Sequence, residues 1–194
     1  MAGIEITDTK TLSDKKYKLE EVSFKRTNSK GKEISQKREV YRRGASTSIL
    51  LYDESRKTVL FTKQFRLPVY LRQHNDGTLI EACAGLIDEG ELPEQTIIRE
   101  VEEETGYRIS EIRKIYEAYL SPASLTELMH FYVGRYSPDL NVSAGGGLEN
   151  EGEDVETLEL TFEDAKKALE SGKINDAKTI ILLQYAMLQG IIAI

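Results

Sequence analysis

Cysteine is almost absent from the sequence: Cys83 stands alone among 194 residues, which excludes an intrachain disulfide framework. A chain of that kind suits a reducing compartment, and the cytoplasm is the expected location. Positive charge is also short, with a formal net charge of -7. That argues against a broad basic surface for a nucleic-acid backbone, but leaves room for a small anion in a local basic or metal-bearing site. No apolar run reaches the roughly 18 residues of a membrane span, so no membrane partner is expected. The opening segment lacks the apolar stretch of a signal peptide. The C-terminal TIILLQYAMLQGIIAI is apolar but interrupted by Gln184 and Gln189, and reads as a buried helix. His74, in the polar turn RQHNDG, and His130, in a strand, show neither metal-ligand spacing nor a nucleophile partner. There is no internal repeat and no low-complexity tract. The regular strand–helix alternation of a doubly wound sheet is missing too.

What is present is a strand-rich chain with helices inserted. KYKLEEVSFKRT and EISQKREVYRRG alternate around the turn NSKGK, which predicts a β-hairpin ahead of the main body. The expected division is residues 1–43 for this extension and 44–194 for the main domain. STSILLY and TVLFTKQF read as strands, GTLIEACAG as one more, and IRKIYEAYL and ELMHFYVGRY as two further strands. Pro93 suits the first turn of a helix and Gly106 the left-handed residue after it, so a helix is predicted over 93–105. SPDLNVSAGGGLENEGED is a long Gly-rich acidic loop, a type that is usually functional or disordered. VETLEL reads as a strand, TFEDAKKALESG as a helix capped by Thr161 and Asp164, and Asp176 to Gln189 as an apolar helix.

The segment AGLIDEGELPEQTIIREVEEETGY places Asp88, Glu89, Glu91, Glu94, Glu100, Glu102, Glu103 and Glu104 together, with Arg99 as its only basic residue. On a helix Glu100, Glu103 and Glu104 share one face, where like charges repel. Ile97, Ile98 and Val101 lie on the other side and can pack on a sheet. A charge run is ordinarily a solvated face. Converging carboxylates just after a Gly-terminated strand make more sense around a hard divalent cation such as Mg²⁺, which takes oxygen ligands and binds substrate phosphates.

Gly85, Glu91 and the run Arg99-Glu100-Val101-Glu102-Glu103-Glu104-Thr105-Gly106-Tyr107 resemble the box of the Nudix family in identity and spacing. Tyr107 stands where an aliphatic residue is more usual. The resemblance implies an α/β/α sandwich around a mixed sheet. It also implies Mg²⁺- or Mn²⁺-dependent hydrolysis of a nucleoside diphosphate linked to another group. It implies Glu100 and Glu104 as metal ligands, joined by the backbone carbonyl of Ala84 and by Glu151. Glu103, Glu104, Arg99 and Glu151 would be the catalytic set, with Arg99 orienting carboxylates through Glu91.

The N-terminal hairpin, with KREVYRRG, KQFR, CAGL, SPASLTELMHFYVGRY, AGGGLENEGEDVE and INDAKT, is similar to the nucleotide-sugar branch of that family. Within the branch the likeness is to hydrolases that split GDP-mannose into GMP and mannose 1-phosphate. This implies a homodimer with exchanged hairpins, in which Tyr17, Lys37, Arg38 and Glu39 reach the neighbouring subunit's nucleotide. Ala84, Gly85, Leu86, Glu104, Asn150 and Glu151 would also touch substrate. Arg66 is a candidate for the diphosphate, because guanidinium forks phosphate oxygens, or else a surface ion pair. Tyr17 would stack on guanine or be one more strand aromatic. Glu127 and Lys178 are candidates for sugar and phosphate, or exposed charges. The loop supplies Glu149, Glu151 and Glu153 as possible general bases, with Glu151 favoured, and its glycines would let it close over substrate. Cys83 reads as core packing. The alternatives are an ADP-ribose or other ADP-sugar pyrophosphatase, and a nucleotide-binding module without catalysis.

Overall fold

Strand alternation and a few strong helix signals shape most of the chain. The computed structural model describes residues 3–73, 76–148 and 152–192. The chain divides by internal contacts into two units, Met1–Ala45 with Tyr119–Leu128, and Ser46–Ala118 with Met129–Ile194.

In the first unit, β1 (Ile4–Asp14), β2 (Lys18–Thr27) and β3 (Glu33–Arg42) form an antiparallel sheet in the order β1-β2-β3. The sequence predicts two strands here, and the structure has three. β1 escapes the reading because Thr7 and Leu12 are extra residues in its pairing with β2, each resetting the period of two. Residues 119–128 belong to this unit through the end of β3. Tyr41 N–H donates to Ser124 O at 2.8 Å, and the Thr126 hydroxyl accepts from Arg43 N–H at 2.9 Å.

The second unit holds a mixed sheet of β4 (Ser46–Asp53), β5 (Thr58–Phe65), β6 (Thr78–Glu81), β7 (Cys83–Leu86), β8 (Ile112–Ala118), β9 (Met129–Arg135) and β10 (Val155–Thr161). The main path runs β10-β5-β4-β9-β8, with β4 and β9 parallel and the other pairs antiparallel. β4 and β5 pair only over Leu51–Asp53 and Thr58–Leu60, then part company. GTLIEACAG, expected as one strand, is two that occupy this split. β6 pairs with β5, β7 pairs with β4, and Ala82 lies between them. The split brings Glu81 and β7 to one place.

Every residue of β4 is buried, as in a strand covered on both faces. On one face Ile49, Leu51, Leu60, Cys83 and Tyr132 pack with Ile97 and Val101 of α2 (Pro93–Thr105). On the other, α3 (Phe162–Glu170) packs on β5 and β10, and α4 (Ala177–Leu188) on β4 and β9. This is the α/β/α sandwich that the resemblance implies. Tyr107, the unusual residue of the motif, sets its ring edge-on to Tyr136 at 5.2 Å, filling the core margin that an aliphatic side chain would otherwise fill. A short helix, α1 (Leu67–Gln73), follows β5 without having been predicted. None of its residues is buried, so it leaves no core-facing periodicity to read. Among the described residues no helix is long and apolar enough to cross a membrane.

Candidate active site

α2 begins where the sequence says it should. Pro93 occupies its first turn, and the Gln95 side chain reaches back to accept from Leu92 N–H at 3.1 Å. Glu91 accepts from the Thr96 hydroxyl at 2.7 Å. Gly106 ends the helix at φ 76°. The 3.6-residue period turns Thr96, Ile97, Val101 and Glu104 inward, so one carboxylate of the acidic run is buried with the core face. Gly85 explains itself at this point. A Cβ there would overlap the Glu100 carboxyl group, so only glycine lets β7 lie against that side chain.

Burial pushes the Glu104 carboxyl up to about 7, offset in part by hydrogen bonds from the Cys83 thiol and Ala84 N–H and reinforced by the charge of Glu153. The Ala84 N–H lies 3.4 Å from Glu104 Oε2. Burial likewise raises Glu100 to about 7; Arg99 opposes that shift, while Glu104 and Glu103 add to it. Arg99 distributes its guanidinium among four carboxylates, with Asp88 the most distant at 3.8 Å. It meets Glu91 at 3.2 and 3.3 Å, Glu103 at 2.8 Å and Glu100 at 3.0 Å. Its hydrogen bond to Glu91 is foremost in holding its own pKa above the ordinary arginine value.

Two carboxyls that resist ionisation alone are suited to exchange protons for a cation. The donors are hard oxygens, which fit Mg²⁺ or Mn²⁺. Among the described residues no three acidic, histidine or cysteine side chains are gathered closely enough to enclose an ion. Glu100 and Glu104 are therefore a partial set, to be completed by backbone, water, substrate or a further carboxylate. Glu149, Asn150, Glu151 and His74, named from the sequence, lie outside the described residues.

The Gly-rich loop does something the sequence did not announce. Gly146 N–H donates to Glu104 O and Gly147 N–H to Glu103 O, both at 3.0 Å, and Val142 N–H donates to Gly106 O at 2.8 Å. These bonds satisfy carbonyls that the end of α2 would leave orphaned. The glycines dock the loop on the acidic helix, whereas the sequence suggested that they free it to close over substrate. Glu153 is engaged too, accepting from Leu148 N–H at 3.1 Å. An open cleft of about 770 Å³ lies between α2 and this loop, with Arg99 and Glu103 on one wall and Ser143 and Gly145 on the other.

On the other side of Glu104 stands a cluster that sequence reading saw only by halves. Arg66 and Lys178 both bind Glu81. The guanidinium donates through Nε at 2.6 Å and Nη2 at 3.1 Å, and the ammonium makes a close ion pair with the same carboxylate. Lys178 also meets Asp176 at 3.1 Å. Lys178 is buried, which excludes the exposed charge that the sequence left open for it. Glu81 carries no signal in the string TLIE beyond being a strand residue. Cys83 is buried as expected, and its thiol additionally faces Glu104.

The remaining candidates lie in the first unit. Lys37, Arg38 and Glu39 are exposed on β3, with Lys37 bonded to Glu21 at 3.0 Å and Arg38 to Lys37 O at 2.7 Å. The Tyr17 ring has Tyr41 at its edge, 5.6 Å away, and the Arg43 guanidinium over it at 5.5 Å. Glu127 is buried, with Arg43 Nε 3.5 Å away. Arg43 thus joins Tyr17 to Glu127, a link that spacing along the chain conceals. In the second unit His130 is partly buried beside Glu117 at 3.2 Å.

Comparison with known proteins agrees with this architecture. Residues 42–183 match the NUDIX domain, and residues 3–41 match the GDP-mannose pyrophosphatase NudK N-terminal domain. The chain is 46% identical over 183 residues to a GDP-mannose pyrophosphatase of Salmonella arizonae, covering 94% of each chain. It is 43% identical over 189 residues to one of Shigella dysenteriae serotype 1, covering 97% of each. A solved ADP compounds hydrolase shares the fold, with a TM-score of 0.72, 18% identity and 96% of both chains covered. The chain belongs to the Nudix hydrolase family, in the branch that carries the NudK N-terminal domain.

Proposed function

We propose that this protein hydrolyses the diphosphate bond of GDP-mannose, giving GMP and mannose 1-phosphate. The observation that carries the chemistry is the pair of carboxyls, buried Glu104 and half-buried Glu100, each raised to about 7 beside Gly85 of β7. The choice of GDP-mannose is supported by relatives of that name that align along nearly the whole chain. Nudix hydrolases generally use divalent ions such as Mg²⁺. Here Glu100, Glu104, the Ala84 carbonyl and Glu151 would hold Mg²⁺, with Mn²⁺ able to replace it. When bound, the ion neutralises the diphosphate and makes water a better nucleophile.

The chain's own residues have distinct tasks in this reading. Arg99 keeps Glu91, Glu100 and Glu103 in place through the fork described above, a positioning role. Arg66 and Lys178 bind the phosphate oxygens, and Ala84, Gly85 and Leu86 of β7 form the strand on which the diphosphate rests. Glu151 accepts the proton of the attacking water as the new P–O bond forms and the bridging P–O bond breaks. Asn150 contacts substrate next to it. Tyr17, Lys37, Arg38, Glu39 and Glu127 contact the nucleotide sugar from the N-terminal part. The reading includes a homodimer that exchanges N-terminal sheets, supported by the exposed Ile4, Ile6 and Leu12 of β1. A cytoplasmic location belongs to it as well, in keeping with a chain that carries a single, buried cysteine.

The test is to incubate the protein with Mg²⁺ and, separately, GDP-mannose, GDP-glucose and ADP-ribose, and to identify products by phosphorus NMR. GMP and mannose 1-phosphate formed fastest from GDP-mannose is the expected result. Faster cleavage of ADP-ribose would move the protein to the ADP-sugar pyrophosphatases. Metal binding without cleavage would make it a binding module.

A further inference from the structure

Glu81 is 3% exposed, and a buried carboxylate is strongly disfavoured unless cations meet it. Here two do. They come from different elements: Arg66 from the end of β5 and Lys178 from the first turn of α4. The arrangement is built around the split between β4 and β5. Arg66 N–H donates to Gly77 O at 2.8 Å, which ties the start of the 66–77 segment to β6. Asp176 caps α4 by accepting from Thr179 N–H at 3.0 Å, and the Thr179 hydroxyl accepts from Ala82 N–H at 2.7 Å. Those bonds fasten the start of α4 to the residue after Glu81. Lys178 therefore has little choice but to aim at Glu81. Arg66 offers its Nε–Nη2 edge to the same carboxylate, so a phosphate can be forked only from the Nη1–Nη2 edge. The cluster lies within the electrostatic reach of Glu104.

We propose that Glu81 is a positioning residue for diphosphate hydrolysis, holding Arg66 and Lys178 side by side as one phosphate clamp next to Glu104. The assignment rests on the hydrolase reading above. Arg66 and Lys178 carry two positive charges, and Glu81 and Asp176 carry two negative ones, so the resting cluster is neutral. The clamp's geometry is thus kept without an excess of positive charge that would retain the product.

The test compares wild type with Glu81→Gln, an isosteric change that removes one negative charge. Two measurements are made: steady-state kinetics with GDP-mannose and Mg²⁺, and calorimetric binding of inorganic diphosphate to metal-free protein. The expected result is a kcat lower by on the order of 10- to 100-fold, because misplaced groups lose orientation. Diphosphate binding tightens several-fold, since one positive charge is now uncompensated. An unchanged kcat overturns the proposal, and so does a lower kcat with unchanged diphosphate affinity, the signature of a purely structural role. If Glu81→Gln does not fold, Glu81→Asp keeps the charge but draws the anchor back by one methylene. The displaced pair then binds diphosphate several-fold more weakly as kcat falls, and either quantity left unchanged overturns the proposal. A wild type that cleaves no nucleotide sugar defeats the hydrolase reading separately, while the diphosphate titration still decides whether Glu81 governs an anion clamp.

Discussion

Glu100 and Glu104 carry a cost that only a ligand relieves. In the metal-free protein both hold a proton up to about pH 7, whereas in the unfolded chain they would lose it near the ordinary value of 4.5. Between those limits the native state binds more protons than the unfolded state, so their contribution to stability is full below 4.5 and is lost as pH rises through about 7. The melting temperature in chelator should therefore fall between pH 5 and pH 8, and Mg²⁺ should largely remove that slope. A flat profile in chelator would contradict the assignment. Glu100→Gln and Glu104→Gln should each lower kcat/KM for GDP-mannose by on the order of 100-fold or more. Neither should lower the melting temperature in chelator at pH 8, because a neutral amide suits a site that resists a carboxylate. Rates equal to wild type in both variants would remove these residues from the site. At this scale the motif spacing made the acidic pair legible. Glu81 and Arg43 were not legible, since their partners are brought to them by sheet register and by the 119–128 segment, neither of which a local pattern records.

At the scale of elements, local chemistry and tertiary contact divide the credit. Pro93 and Gly106 bracket α2 where they were expected to, and Thr161 and Asp176 cap α3 and α4 by accepting from Asp164 and Thr179 N–H. Signals of this kind act within one turn, so a single sequence displays them. β1 and the break at Ala82 depend on which strand lies alongside, and were missed or merged. Gly106 belongs to both classes. Its φ of 76° is a helix-end signal, but a Cβ there would also collide with Ser143 O, part of the loop segment docked on the helix end. Gly106→Ala should thus cost about 1–3 kcal/mol, or roughly 2–10 °C in melting temperature. A loss below about 2 °C by calorimetry would mean that the docked loop yields easily.

For the whole molecule, the exposed apolar residues of β1 make an association prediction against the repulsion of a net charge of -7 on each chain. Light scattering at micromolar concentration should return twice the 22.0 kDa chain mass. The monomer mass alone would count against exchanged N-terminal sheets. The fold class followed from strand order and the family resemblance together. An exchange of N-terminal sheets would concern a second chain, which no reading of one chain's register contains. The docked loop has a consequence for how such a molecule can diversify. Gly146 and Gly147 are fastened to α2, and Val155 N–H returns to Gly146 O at 3.1 Å, so the two feet of the intervening chain stand together. Doubling the length of a chain between fixed feet costs only about 0.6 kcal/mol. Residues could be gained or lost at the tip with scarcely any penalty to the acidic helix beneath. The attachment that keeps the Glu103 and Glu104 backbone still therefore also frees the length of this stretch from the stability of the helix, so that what the stretch must reach, and not what the fold tolerates, sets how long it is.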